Sequence, residues 1–185
     1  MGELSKRIGE QGERIVLNFL KNIGWGDASL AIDLPCFLNQ KHKHDGTNGR
    51  QTHGIDGLFP YPSPFFEDIL DHIVISIKFS KDSYKTNPVN DFKSHFKDLV
   101  TAMECYDKSE LQNEYNEDYT GTIPETKGLL IWINNKNENE SIIDKICNAR
   151  LDDEYTYNAV YVLDNNRMEF LNKSISFVKN KYKNH

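Results

Sequence analysis

A chain of 185 residues with 10 Phe, 9 Tyr and 2 Trp has enough apolar and aromatic material to fold, and a single domain over 1–185 is expected. No apolar run approaches the roughly 18 residues of a membrane span. The start Met-Gly-Glu-Leu-Ser-Lys-Arg lacks the apolar stretch of a secretion signal, and three scattered cysteines (Cys36, Cys105, Cys147) exclude a disulfide framework, so a cytoplasmic setting is expected.

The net charge of −6 argues against a surface coated in DNA-binding residues but leaves room for local basic patches. From Glu104 to Glu125 there are seven acids and one base, Lys108. Basic residues gather instead at Lys41, Lys43 and Arg50, at Lys78, Lys81 and Lys85, and at Lys173, Lys179, Lys181 and Lys183. The last residues carry no clear cap, which is also what a piece of a longer protein would look like.

In chain order, Ile8, Ile15, Val16, Phe19, Leu20 and Ile23 recur at helical spacing, predicting a helix over 5–23 stopped by Gly24. Residues 28–37 read as extended. A polar loop rich in Gly, Asn and His follows over 39–52, holding His42 and His44. Residues 54–59 predict a strand, and Pro60, Pro62 and Pro64 then predict a turn that interrupts any ladder. From His72 to Ser80, Ile73, Ile75, Ile77 and Phe79 alternate with polar or small partners, predicting a strand with one apolar face. A helix over 91–106 follows, with Phe92, Phe96, Leu99, Val100, Met103 and Tyr106 on one side. The acidic segment 107–126 reads as exposed and mobile. Gly128 to Ile133 reads as a doubly buried strand, and Ser141 as the cap of a short helix to about Ala149. Residues 157–163 predict a strand, Asp164-Asn165-Asn166 a hairpin-like turn, 168–171 a further strand, and 174–183 a final helix or tail. This order predicts an α/β fold with a mixed central sheet flanked by helices.

The chemistry concentrates between His53 and Ser80. Asp56 lies in Gly54-Ile55-Asp56-Gly57, and the next strand carries Ser76-Ile77-Lys78. A carboxylate on one strand and a lysine on the next suit metal-dependent phosphodiester hydrolysis. Each residue also has an ordinary alternative: Lys78 as a solvated strand residue, Asp56 as a turn former beside Gly57, Glu13 as a helix surface acid, Asp91 as a first-turn acid.

With Gly12-Glu13 on the first helix, Ile55-Asp56-Gly57 and Ser76-Ile77-Lys78, most of the chain resembles the PD-(D/E)XK, or restriction-endonuclease-like, nuclease superfamily. A narrower likeness is to nuclease subunits of bacterial anti-phage defence systems that work beside a partner protein. The resemblance implies a restriction-endonuclease-like core and a DNA endonuclease using Mg²⁺, with Mn²⁺ as a substitute. It implies catalytic roles for Asp56, Lys78, Glu13 and Ser76, and metal ligation by Asp56, Glu13, Asp91 and the carbonyl of Ile77. Ser76 departs from the pattern, which has an acid there; Asp91 or Asp98 would supply the missing carboxylate. The same departure motivates the rival reading, a degenerate nuclease fold acting as a nucleic-acid-binding or assembly module.

Lys41, Lys43, Arg50, His53 and Lys81 are the expected DNA contacts, through the backbone phosphates. DNA is the expected partner, together with a second copy of the chain or a protein of the same defence system; a membrane is not. Cys36, His42, His44 and His53 invite a zinc reading, but only His42-x-His44 has the close ligand spacing of a structural site, and zinc is not expected.

Overall fold

The computed structural model describes residues 2–43, 49–136, 141–152 and 154–182. Residues 44–48 of the polar loop, His44 among them, and Lys183 lie outside them. The elements are α1 (Gly2–Asn22), β1 (Ser29–Pro35), β2 (Thr52–Pro62), β3 (Ile69–Ser80), α2 (Val89–Tyr106), α3 (Glu110–Glu117), β4 (Ile123–Asn134), α4 (Ile142–Ile146), β5 (Ala159–Leu163) and α5 (Asn165–Lys181). Among the described residues the strands form one sheet ordered β1-β2-β3-β4-β5. The first two pairings are antiparallel and the last two parallel. This is the mixed α/β sheet the sequence predicts. No described helix is long and apolar enough to cross a membrane.

Alternation in β3 splits the interior into two cores. Ile73 and Ile75, with Ile131 and Ile133 of β4, pack on Val16, Phe19 and Leu20 of α1 and Met168 of α5. Val74, with Leu130 and Trp132, packs on Phe92, Phe96, Leu99, Val100 and Met103 of α2. Fully burying each such side chain is favourable by about 1.5–3 kcal/mol, so these stripes fix which way each helix lies. Gly24 ends α1 with φ +92°, and Trp25 N–H reaches back to the Leu20 carbonyl at 2.8 Å, a six-residue closure that satisfies an otherwise unpaired helix end. Trp25 then stacks on Phe59 with ring centroids 5.0 Å apart.

Three expectations are corrected. The prolines do not break β2: Pro60 pairs with His72 and Pro62 with Leu70. The β1–β2 register runs only as far as Leu58, so beyond it β2 is an edge strand, where a missing N–H is tolerated. The acidic segment is built into the fold. Ser109 caps α3 by accepting from Gln112 N–H, Tyr115 hydroxyl meets Ser29 Oγ at 2.7 Å, and Asn116 meets His72 at 3.0 Å. Glu110, Glu114 and Glu117 are exposed on this tethered helix, and Glu125 pairs with Lys127 on β4. Finally, 164–171 is no turn and strand. Asp164, fully buried, accepts from Arg167 N–H, Ser141 Oγ–H and Ile142 N–H, so it caps α5 and anchors the start of α4. Asp and Asn favour turns and helix caps for the same reason, a side chain that bonds nearby backbone.

Candidate active site

The site is built where β2 parts from β3. Their register runs from Pro62↔Leu70 to Gly57↔Ile75 and stops there, while β3 stays paired with β4 as far as Ser80. Ile55 and Leu58 both enter the core beneath α2 although they are three positions apart, an odd spacing that strict alternation would put on opposite faces. The strand therefore changes phase across Asp56. β1 has a matching irregularity: Ala31, skipped between Leu30↔Gly57 and Ile32↔Ile55, has φ +52°. A left-handed non-glycine residue costs about 1–2 kcal/mol, and such strain gathers at functional sites.

Thrown out of phase, the Asp56 carboxylate takes the place of a neighbouring strand. Its Oδ2 accepts from Ile77 N–H at 2.6 Å. N–H and C=O of one strand residue point to the same side, so the Ile77 carbonyl also faces the gap left by β2. A small cavity of about 60 Å³ here is lined by Glu13, Leu17, Leu30, Ala31, Asp56 and Ile77. Glu13 and Ile77 also border a larger cleft of about 660 Å³, whose walls include Lys78, Lys85, Asp91, His95 and Trp132. Asp56 thus lines the small cavity, Lys78 and Asp91 line the cleft, and Glu13 and Ile77 border both. The carboxylate and carbonyl oxygens here are hard donors that suit Mg²⁺ or Mn²⁺.

Glu13 reaches this region because α1 runs close over β3. A Cβ on Gly12 would overlap Cβ of Phe79 and lie 2.5 Å from its Cγ. Asp91, in the first turn of α2, is paired with Lys85 at 2.8 Å. Ser76 is half-buried and lines neither cavity. Asp98 bonds Arg50 at 3.0 Å and is not in either wall.

The expected DNA contacts are dispersed. Lys43 and Lys81 are exposed, Lys81 between cleft residues Ser80 and Asp82. Arg50 is held by Asp98, and Lys41 by Glu104 at 2.6 Å. His53 is fully buried beside Cys36, His42 and Cys105. A phosphate at the surface is out of its reach, because β2 turns this side chain inward under α2.

His95 was not singled out from the sequence. It lines the cleft and meets Trp132 edge-on at 5.0 Å. Burial lowers its pKa and the neighbouring Lys78 ammonium lowers it further, so it is neutral at pH 7. The available signal was spacing: His95 lies four residues after Asp91, on the same helix face.

Neither the curated proteins nor the solved structures gave a match. A family model, described as the GAPS4 protein PD-(D/E)XK nuclease domain, matches residues 1–167. The parted strands, the Asp56–Ile77 bond and this match agree, and the chain belongs to the PD-(D/E)XK nuclease superfamily, in the family of GAPS4 nuclease domains of an anti-phage defence system.

Proposed function

We propose that this domain is a divalent-metal-dependent DNA endonuclease acting in defence. One observation carries the reading: Asp56 and Ile77 are joined by a hydrogen bond where β2 leaves β3, with Glu13 beside them and Lys78 in the cleft that Glu13 and Ile77 also border. Asp56, Glu13 and the Ile77 carbonyl are the groups that would hold Mg²⁺ or Mn²⁺. When bound, such a cation supplies Lewis acidity at the phosphate and acidifies the attacking water.

The remaining work falls to the chain itself. Lys78 donates to the attacking water or to a non-bridging phosphate oxygen, orienting the first and offsetting the charge that grows on the second. Lys78 is half-buried near the end of β3, in the wall of the cleft. Lys81, exposed just outside the cleft, serves the flanking phosphate, and Lys43 a more distant one. Lys85 neutralises Asp91, which lowers repulsion between the cleft and a polyanion. Cutting both strands requires two such sites, so we infer action with a second copy or a partner protein of the same system.

The test is cleavage of supercoiled plasmid with Mg²⁺, Mn²⁺ or EDTA by wild type, Asp56→Ala and Lys78→Ala. Metal-dependent nicking or linearisation lost in both variants supports the reading. Cleavage retained in both sinks it. Ser76 in the acid position, with Asp91 tied to Lys85, favours a second reading, a degenerate fold that binds nucleic acid without cutting. A Mg²⁺-dependent thermal shift that Asp56→Ala removes would exclude that alternative.

A further inference from the structure

We propose that Cys36, His42, His53 and Cys105 form a structural zinc site, separate from the cleft. The four residues come from the end of β1, the loop after it, β2 and α2, and all are buried. Each presents one ligand atom, and these atoms lie within 4.8 Å of one another. His42 Nδ1 is 3.5 Å from Cys36 Sγ, 3.5 Å from Cys105 Sγ and 3.3 Å from His53 Nε2. The two sulfurs are 3.9 Å apart.

These distances are the edges of a zinc tetrahedron. With Zn–S about 2.3 Å and Zn–N about 2.0–2.1 Å, tetrahedral edges come to roughly 3.8 Å for S–S, 3.6 Å for S–N and 3.4 Å for N–N. Four of the six edges agree with these values to within about 0.2 Å, and the two between His53 and the sulfurs are no longer than 4.8 Å, so closing on the ion asks only a small movement of the His53 ring.

Chemistry favours a cation over a network of thiols and imidazoles. Three groups converge on the single lone pair of His42 Nδ1, which accepts one good hydrogen bond. A central ion removes that conflict by giving each ligand its own bond. Two thiolates and two neutral imidazoles around Zn²⁺ form an electrically neutral unit, with two thiol protons released on binding. That unit can be buried where a bare charge could not. Sulfur and imidazole ligands select zinc over Mg²⁺, and four protein ligands leave no open position, as in a structural site.

The surroundings complete the argument. His42 Nε2 bonds Glu104 Oε2 at 2.7 Å, which fixes the tautomer that points Nδ1 at the sulfurs. Glu104 is itself held by Lys41 at 2.6 Å and by Thr156 N–H at 3.2 Å. This carboxylate–histidine pair is the usual support of a zinc ligand. Lys41 and His53, expected at a DNA surface, are assigned to this centre instead.

The test is elemental analysis of the untagged chain, purified under reducing conditions without chelator. One zinc per chain is expected, retained in Asp56→Ala and lost in Cys105→Ser. Because Cys105→Ser could fail to fold, the wild-type chain is also loaded with Co²⁺. Intense visible bands of tetrahedral cobalt and a thiolate charge-transfer band are expected, both displaced by Zn²⁺. Three results overturn the proposal: substoichiometric zinc that added Zn²⁺ does not raise, six-coordinate cobalt without charge transfer, or a Cys36–Cys105 disulfide in the native protein. Zinc lost in Asp56→Ala but kept in Cys105→Ser would also overturn it, by moving the metal to the cleft.

Discussion

Asp56 has two separable duties in this structure, and paired substitutions divide them. It accepts the Ile77 N–H at 2.6 Å, and it offers a charge to the cavity it shares with Glu13. A hydrogen bond to a charged acceptor contributes about 1.5–3 kcal/mol when buried. Asp56 is only half-buried and water can reach the gap, so we expect Asp56→Ala to cost about 1 kcal/mol. Asp56→Asn keeps an acceptor oxygen and removes repulsion with Glu13, and in EDTA it should be as stable as wild type. Both variants should lose cleavage. The sharper measurement is the thermal shift with Mg²⁺. At a concentration ten times Kd, binding stabilises by about 1.4 kcal/mol, or about 3–6 °C for a chain of this size. That shift is expected in wild type and absent in Asp56→Asn. If Asp56→Asn cuts plasmid with Mg²⁺ as wild type does, the carboxylate is not the metal anchor. If Asp56→Ala matches Asp56→Asn in stability, the hydrogen bond does not hold the strands in place.

Three further outcomes follow from the geometry. Lys78→Met should remove cleavage while shifting stability by less than about 0.5 kcal/mol, because the alkyl stem is preserved; urea unfolding beside the plasmid assay checks both, and residual cutting near the wild-type rate would deny Lys78 its role. Gly12→Val should destabilise by about 1–3 kcal/mol and depress cleavage, since a side chain there forces α1 and Glu13 away from Phe79; a fully active, equally stable variant would mean that the α1–β3 spacing is unimportant. His72 and His95 are both held below the ordinary histidine pKa, first of all by burial. The unfolded chain therefore takes up protons first as pH falls through about 6.5, and stability should be flat above pH 7 and decline below it. Urea midpoints at pH 7.5, 6.5 and 5.5 test this, and a midpoint that rises toward pH 5.5 contradicts it.

The sequence made the sheet legible because alternation in 73–79 and the continuous apolar run 128–133 report burial directly. It made Lys78 legible as a candidate because it lies on the first of those strands, and Asp56 because it lies on the segment that leads into it. What it hid were features set by pairing partners rather than by local pattern. Pro60 and Pro62 look like breakers until the pairing of β2 with β1 is seen to stop at Leu58, leaving β2 an edge beyond it. Asp164 looks like a turn residue until its carboxylate is seen to gather three donors from two helices. The Cys/His cluster was hidden more deeply. Cys105 lies 69 residues from Cys36, mid-pattern on an amphipathic helix where a small apolar side chain is ordinary. Close spacing pointed to His42-x-His44, whereas the proposed fourth ligand, Cys105, comes from α2.

β2 connects the two centres, and this gives the zinc site a consequence for the cleft. His53 lies three residues before Asp56 on that strand and pairs with Leu34, two residues before Cys36. Zinc would therefore clamp the loop-joined ends of β1 and β2 to Cys105 of α2. The irregularity at Ala31 and Asp56 lies just beyond this clamp. Strained backbone persists only where its surroundings over-determine it. The about 1–2 kcal/mol carried by Ala31 is small beside the roughly 10 kcal/mol or more that a structural zinc site contributes. A clamp of that strength can hold the phase change that turns Asp56 toward Ile77, while taking no part in the chemistry. Its loss should loosen the Asp56–Ile77 bond before it unfolds the sheet, since β3 remains paired with β4 along its whole length.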